Sequence, residues 1–308
     1  MESELIAHLR RRLPAHPLLR VGPGDDAAVL AMGDVDECVV TVDLLTDGVD
    51  FELRKTDPRR VGRKLLAANL SDLAAMAAEP LAGVVALALP RDGGLELAVA
   101  LYEGMLPLAE DYNLAVAGGD TNSWDGPLAA SVTLIGKVTE HGPLRRDGAR
   151  PEDRILVTGA FGGSILGRHL DFEPRVRETL LLNEKYELRA GIDVSDGLSI
   201  DLAHIVEESN CGAVLETANI PIHDDARRLA EQRADGSSPL DHALGDGEDF
   251  ELILAVPPKE AERIIADQPL DIPLTDVGRF TTEPGLWQID DHGARTKLVP
   301  RGWEHRFD

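Results

Sequence analysis

Hydrophobic and polar positions alternate along the first half of the chain with two periods, one typical of strands and one typical of helices. Mainly apolar runs of strand length predict four strands, at 37–43, 83–90, 113–120 and 128–138. Between them, helical spacing predicts a helix that begins in the stretch 57–80, with Asp57 as N-cap and Pro58 at the first helical position. A second helix is predicted over 94–112, and Pro107 is expected to bend it.

The second half shows the same alternation after a polar segment, 140–153, that contains Gly and Pro. Its predicted elements are a strand that runs into a glycine turn, a strand–turn–helix unit and a further strand, at 154–163, 190–209 and 249–257. Residues 1–20 predict a short helix with a basic end. The pattern predicts two α/β domains, 1–140 and 141–308.

Composition narrows the possible functions. The chain has 308 residues, of which 43% are hydrophobic and 28% charged, as in globular proteins. A net charge of −24 opposes binding to nucleic acid or to an anionic membrane surface. Cys38 and Cys211 fit neither a disulfide framework nor a zinc motif, and no run has the length of a signal peptide core or a membrane span. These features predict a cytoplasmic protein without a nucleic-acid or membrane partner.

Candidate chemistry begins in the stretch 21–53, which contains nine acidic residues and neither Lys nor Arg. Asp25 and Asp26 follow a glycine turn, and this stretch could be only a turn, since Gly, Pro and Asp favour turns. Asp43 ends an apolar strand and Asp47 follows after a short loop. The ends of strands are where α/β sheets place ligands, although an exposed loop explains Asp47 equally well.

Polar residues also interrupt a predicted helix of Ala, Leu and Met at Asn69, Ser71 and Asp72. A charge on an apolar helix face is costly unless it is paired or binds a metal ion. The alternative is that Ser71 or Asp72 caps a new helix. We favour a functional role for this group.

Three further motifs place acidic residues at predicted strand or turn ends. Two glycines at 118–119 precede Asp120, which suits close approach of backbone amides to an anion, or a plain strand-to-turn transition. Asp193 and Ser195 share one face of a strand end, and Asp196 could serve only as a helix N-cap. The third motif, at 245–252, brings four acids close together: Asp246, Glu248, Asp249 and Glu251.

Separated carboxylates of this kind suit hard divalent cations, because Mg²⁺ prefers oxygen ligands and usually binds one or two carboxylates together with substrate phosphates. We therefore expect several Mg²⁺ ions that bridge a polyphosphate. The chain contains no Walker phosphate loop, dinucleotide-binding glycine motif, kinase HRD or DFG motif, GxSxG elbow or HExxH motif.

Seven segments in order resemble the thiamine-monophosphate kinase family of the aminoimidazole-ribonucleotide synthetase-like superfamily: GPGDDAAV, TVDLLTDGV, AANLSDLAAMAAEP, GGDT, RRDGARPEDRILVTGAFG, IDVSDGL and GEDFEL. The resemblance spans nearly the whole chain. It implies a two-domain α/β (α+β) fold whose N-terminal domain forms a shared barrel in a homodimer. It also implies ATP-dependent phosphorylation of thiamine monophosphate to thiamine diphosphate, by direct in-line transfer assisted by several Mg²⁺ ions in a cleft between the domains.

The resemblance assigns roles to individual residues. The implied metal ligands are Asp26, Thr41, Asp43, Asp72, Asp120, Asp193 and Asp196, and the carboxylates central to catalysis are Asp43, Asp72 and Asp120. The implied ATP contacts are Tyr102, Gly119, Asp120, Arg146 and Ser195. The implied substrate contacts are Asp50, Glu248 and Trp303.

Three positions depart from the family pattern. Val42 stands where the family has a hydroxyl residue, so one metal ion loses a ligand or takes water. Asp50 stands where the family has a His that touches the substrate. The C-terminal GWEHRFD also differs from the family's ending, although Trp303 or Phe307 could still stack on the substrate. The alternatives are a superfamily enzyme with another acceptor and a non-catalytic protein that binds Mg²⁺ and nucleotide.

Overall fold

The computed structural model describes residues 19–21, 25–31 and 37–304. The basic helix predicted within residues 1–20 lies outside these residues, except for the last two, which belong to a strand. The first half forms a six-stranded sheet in the order β1-β2-β3-β6-β4-β5. Its strands are β1 (Leu19–Val21), β2 (Ala28–Ala31), β3 (Glu37–Thr46), β4 (Ala78–Pro90), β5 (Ala115–Trp124) and β6 (Ala129–Val138). Its helices are α1 (Pro58–Ala75) and α2 (Gly94–Asp111).

The second half forms a seven-stranded sheet in the order β13-β12-β9-β11-β7-β10-β8. Its strands are β7 (Arg154–Thr158), β8 (Ala190–Asp193), β9 (Gly212–Glu216), β10 (Leu252–Val256), β11 (Leu274–Thr281), β12 (Gly285–Ile289) and β13 (Arg295–Lys297). Its helices are α3 (Arg168–Asp171), α4 (Val176–Lys185), α5 (Leu198–Glu208), α6 (Asp224–Arg233), α7 (Pro239–Gly245) and α8 (Pro258–Asp267). The α/β fold class predicted from the sequence is confirmed. In the described part of the chain, no helix has the length and apolar character that a membrane crossing requires.

Helix α1 connects the two halves. The Asp57 side chain accepts a hydrogen bond of 2.9 Å from the Arg59 amide, and Pro58 occupies the first turn, as predicted. The helix packs against α2 and β6 of the first half and against α4 and β8 of the second. It therefore lies between the two sheets, and residues of both sheets share one hydrophobic core with it.

The structure rules out two alternatives that the sequence left open and corrects one predicted strand end. Helix α1 continues through Ser71 and Asp72, so neither residue caps a new helix, because contacts on both sides bury this part of the helix. Asp196 is not the N-cap of α5. The Asp201 carboxylate, from within the helix, accepts hydrogen bonds from the Asp196 and Gly197 amides at 3.1 and 2.9 Å instead.

Strand β5 does not end at Asp120 but continues to Trp124, because its parallel pairing with β4 extends to the pair Pro90–Trp124. The glycine pair at 118–119 therefore lies inside an edge strand and not in a turn. The pairing shifts by one residue beside Gly118, whose φ of +140° suits a glycine. This shift decides which face of the sheet Asp120 occupies.

Candidate active site

A cleft with a volume of about 510 Å³ lies where the two halves meet. This volume is within the usual range of small-molecule sites. Residues of both halves line it, and eight of them are predicted site residues: Asp43, Asp50, Asp72, Asp193, Ser195, Asp196, Glu248 and Trp303. Sequence motifs far apart along the chain therefore meet in one place.

Three predicted metal ligands form a cluster next to this cleft. One carboxylate oxygen from each of Asp26, Asp72 and Asp193 lies within 4.8 Å of the others. The Ser71 hydroxyl donates to Asp193 at 2.6 Å, and the Thr41 hydroxyl donates to Asp72. Burial raises the pKa of Asp72 well above its usual range, and the nearby carboxylates raise it further. Burial also raises the pKa of Asp193, and the Asp26 carboxylate makes the largest additional contribution in the same direction. A divalent cation would relieve this repulsion.

Asp43 adds a fourth carboxylate with an unsatisfied atom. Its Oδ2 is buried and has no hydrogen-bond partner among the described residues. Burial, and to a smaller extent the neighbouring Asp50 carboxylate, raise the pKa of Asp43 to about 6. Because a buried carboxylate oxygen without a partner is costly, this atom fits a metal ligand. The donor set, carboxylates with the Thr41 hydroxyl nearby, suits Mg²⁺ better than a transition metal.

The raised pKa values predict how stability depends on pH. Asp43 and Asp25 have pKa values of about 6 and 7, against 3.8 in an unfolded chain. The folded state therefore binds more protons than the unfolded state between these limits, and this stabilisation is lost as the pH rises through 6 to 7. We expect the Tm of metal-free protein to fall between about pH 5 and pH 8, and Mg²⁺ to raise Tm more at the higher pH, because protons compete with the cation.

Thermal unfolding with and without Mg²⁺ checks this expectation, with EDTA-treated protein as the reference. Asp43→Asn is the matched variant, because it keeps the shape of the side chain but cannot ionise. Its Tm should depend less on pH, and Mg²⁺ should raise its Tm by a smaller amount. A Tm of the metal-free protein that rises with pH over this range would contradict the assignment.

Arg146 neutralises the glycine-turn carboxylates. Its guanidinium donates to the two Asp26 oxygens at 3.0 and 2.6 Å and lies 4.0 Å from Asp25. The backbone amide of Arg146 also donates to Asp25 at 3.3 Å. A bidentate arginine fits a carboxylate or a phosphate equally well. The arginine predicted to contact ATP therefore lies beside the metal cluster and pairs there with one of its ligands.

A second cluster of possible metal ligands includes Asp196 and two residues of α5. Asp196, Asp201 and His204 each offer an atom within 4.8 Å of the others. Of these, only Asp196 was predicted from the sequence. Asp201 and His204 are three residues apart on α5, so they share one face of the helix. That spacing after Asp196 is the signal that could have identified them.

The predicted substrate contacts line the cleft together. The Asp50 carboxylate accepts hydrogen bonds from the Thr46 amide at 2.6 Å and from the Thr46 hydroxyl at 3.3 Å. These bonds join the two ends of the loop 46–50. Glu248 has a φ of +61°, which is unusual for a residue other than glycine. Trp303 is 55% exposed at the cleft. These positions leave room for a ligand beside the aromatic ring.

The other acids of the GEDFEL motif pair with protein groups. Asp249 accepts from the Gly162 amide at 2.8 Å and from Arg168 at 2.8 Å. Glu251 is buried, pairs with Arg175 and accepts from Thr158 at 2.6 Å. These two acids are structural, because their partners are protein groups. Of the acids in GEDFEL, Glu248 is the one that lines the cleft.

Three predicted residues lie elsewhere. Tyr102, Gly119 and Asp120 are not among the described residues that line the cleft. Asp120 pairs with Ala86 of β4, and Ala86 shares a sheet face with the exposed Leu44 through β6. Asp43 is the neighbour of Leu44 and so lies on the opposite face, towards α1. Asp120 therefore occupies the open face of the sheet.

Comparison with known proteins agrees with this architecture. The AIR synthase related protein models match residues 24–138 with their N-terminal domain and residues 125–286 with their C-terminal domain. Fold and site thus define an AIR synthase related protein with an acidic cleft between two α/β halves. A thiamine-monophosphate kinase of Rhodopirellula baltica is 42% identical over 99% of this chain and 97% of its own length. One of Escherichia coli is 34% identical over 99% and 98%.

A solved structure of AaThiL complexed with AMPPCP and TMP has a TM-score of 0.85 and 27% identity, and the match covers 99% of this chain and 97% of that one. The chain belongs to the thiamine-monophosphate kinase family. The family resemblance inferred from the sequence is confirmed.

Proposed function

We propose that this protein transfers the γ-phosphoryl group of ATP to thiamine monophosphate and so forms thiamine diphosphate and ADP. The family supports the activity, and the relative with bound AMPPCP and TMP supports both substrates. The observation that carries the proposal is the buried cluster of Asp26, Asp72 and Asp193 next to a cleft that also contains Asp43. Such a cluster can bind cations, and bound cations reduce the electrostatic repulsion between two reacting anions.

The proposed chemistry is direct in-line transfer. An oxygen of the thiamine monophosphate phosphate attacks the γ-phosphorus of ATP, and the bond to the β,γ-bridging oxygen breaks, so that ADP leaves. The attacking oxygen is already ionised near neutral pH, and no general base is required. Bound Mg²⁺ would supply neutralisation of the phosphate charges. Asp26, Asp43, Asp72 and Asp193 would hold these cations, and Arg146 is close enough to contribute positive charge.

The departures from the family pattern have local explanations. Val42 is 61% exposed on the open face of the sheet, whereas Asp43 lies on the other face, so the lack of an oxygen at Val42 does not change the donors that one chain brings together. Asp50 is occupied by its hydrogen bonds to Thr46. We propose that it shapes the substrate loop and that its charge favours the cationic ring of thiamine.

We also propose that the protein is a homodimer. Apolar side chains cover the open face of the first sheet, where Val42, Leu44, Val84 and Ile135 are 61%, 65%, 46% and 40% exposed. A second copy of the chain would cover this face and form the shared barrel that the resemblance implies. Sedimentation should give twice the mass of the chain, and a monomer at micromolar concentration would contradict the proposal.

We propose a cytoplasmic location, which the two buried free thiols support.

A panel of phosphate acceptors tests the function against its alternatives. We would measure ADP release with ATP, Mg²⁺ and one acceptor at a time: thiamine monophosphate, thiamine, or no acceptor. Release that requires thiamine monophosphate supports the proposal. Nucleotide binding without release in any mixture would indicate a non-catalytic relative.

A further inference from the structure

Lys64 is a buried cation that the sequence motifs did not identify. It lies on α1 with only 1% of its side chain exposed, yet it lines the cleft. Its neighbours at helical spacing, Val61, Ala67 and Ala68, are buried and apolar. A lysine is costly at such a position unless its ammonium group has partners. The position of a charged side chain in this apolar face therefore indicates a role in the cleft.

Two protein groups hold the Lys64 ammonium. It donates to the main-chain oxygen of Asp50 at 2.7 Å and to the Glu248 carboxylate. An ammonium group has three N–H donors, so the acceptors present in the described structure leave one for a ligand. Asp50 comes from the first half of the chain and Glu248 from the second. Lys64 thus lies between the two residues that the resemblance assigns to the acceptor substrate.

The charges that line the cleft indicate which kind of ligand group the third N–H donor of Lys64 would bind. Seven of the described residues that line the cleft are acidic, and two are basic, Lys64 and Arg233. A substrate phosphate in such a cleft needs nearby positive charge. Of the five predicted ATP contacts, Ser195 alone is among the described residues that line this cleft, whereas all three predicted acceptor contacts line it. The cleft around Lys64 is therefore lined mainly by the groups expected to bind the acceptor.

We propose that Lys64 binds the phosphate group of the acceptor substrate, and that Glu248 and the Asp50 carbonyl hold its ammonium in place. The proposal rests on the proposed function. It makes Lys64 a determinant of specificity, because a phosphorylated acceptor gains a charge-assisted hydrogen bond that unphosphorylated thiamine does not.

Calorimetric titration tests the proposal without turnover. Thiamine monophosphate and thiamine are each titrated into wild type and Lys64→Met, with Mg²⁺ and AMPPCP present throughout. In Lys64→Met, we expect the affinity for thiamine monophosphate to fall by about 10- to 100-fold, the range for a hydrogen bond to a charged group. Affinity for thiamine should stay within about threefold, because thiamine carries no phosphate.

Arg59→Met is the matched control, since Arg59 lies on the same helix but is exposed and outside the cleft. It should leave both affinities unchanged. If Lys64→Met does not fold, Lys64→Gln carries the same test with a polar, uncharged side chain. Equal loss of affinity for both ligands, or loss for neither, overturns the role of Lys64 and leaves the kinase function standing. Failure of the wild type to bind thiamine monophosphate overturns both.

Discussion

Asp72→Asn is expected to lower turnover by about a thousandfold or more, because loss of one cation ligand removes about 4 kcal/mol of transition-state stabilisation. Asp72 lies beside the carboxylates of Asp26, Asp43 and Asp193 and accepts a hydrogen bond from the Thr41 hydroxyl, so its replacement removes one charge from the group that would bind the cation. The asparagine keeps the shape of the side chain and removes its charge. The loss should therefore appear in kcat at saturating Mg²⁺ and not only in the Mg²⁺ requirement.

The same change should not unfold the protein. Burial raises the pKa of Asp72, so its ionised form destabilises the metal-free fold, and asparagine relieves this cost. We expect the Tm of metal-free Asp72→Asn near pH 8 to equal or exceed that of wild type. Asp125→Asn is the matched control, because Asp125 is exposed and pairs only with Arg91 among the described residues. Turnover of Asp72→Asn within tenfold of wild type would contradict the role of Asp72.

The second large effect concerns Asp120 and the partner chain. Asp120 lies on the open face of the first sheet, whereas Asp72 lies on the α1 side, so one chain does not bring them together. We propose that Asp120 completes the site of the other protomer in the homodimer proposed above. Asp120→Asn and Asp72→Asn should each be nearly inactive as homodimers. A heterodimer of the two variants has one site with both residues intact, and should recover about half of wild-type turnover.

Two affinity tags on co-expressed chains allow this heterodimer to be purified. The control is the heterodimer of Asp72→Asn with Asp193→Asn. Asp72 and Asp193 belong to one cluster within one chain, so both of its sites are defective and it should stay inactive. Absence of recovery in the Asp72→Asn and Asp120→Asn heterodimer would show that Asp120 does not act across the dimer.

Local patterns predicted much of the fold. The cap at Asp57 and the apolar strands follow from residue preferences within a few positions, and the structure confirms them. The end of β5 could not be predicted, because pairing with β4 extends it and the shift beside Gly118 reverses its faces. Such a shift depends on a neighbouring strand and leaves little trace in one sequence.

Some residues of the site can likewise be predicted from local sequence patterns, and others cannot. Asp72 is recognisable because a charge on an apolar helix needs a partner or a metal ion, and Asp193 because it shares the face of a strand end with Ser195. Lys64 carried the same signal in the face of α1 and was missed. The structural roles of Asp249 and Glu251 could not be predicted, because their partners Arg168 and Arg175 lie about 80 residues away along the chain. Pairing over that distance is a property of the fold.

The most direct measurement is chromatographic detection of thiamine diphosphate after incubation of the purified protein with ATP and thiamine monophosphate. Mg²⁺ is present in one sample and replaced by EDTA in the other, and thiamine is the control acceptor. The predicted result is thiamine diphosphate that forms only with Mg²⁺ and only from thiamine monophosphate, with one ADP released for each product molecule. Absence of thiamine diphosphate in a sample in which the protein binds both ATP and Mg²⁺ would contradict the proposed function.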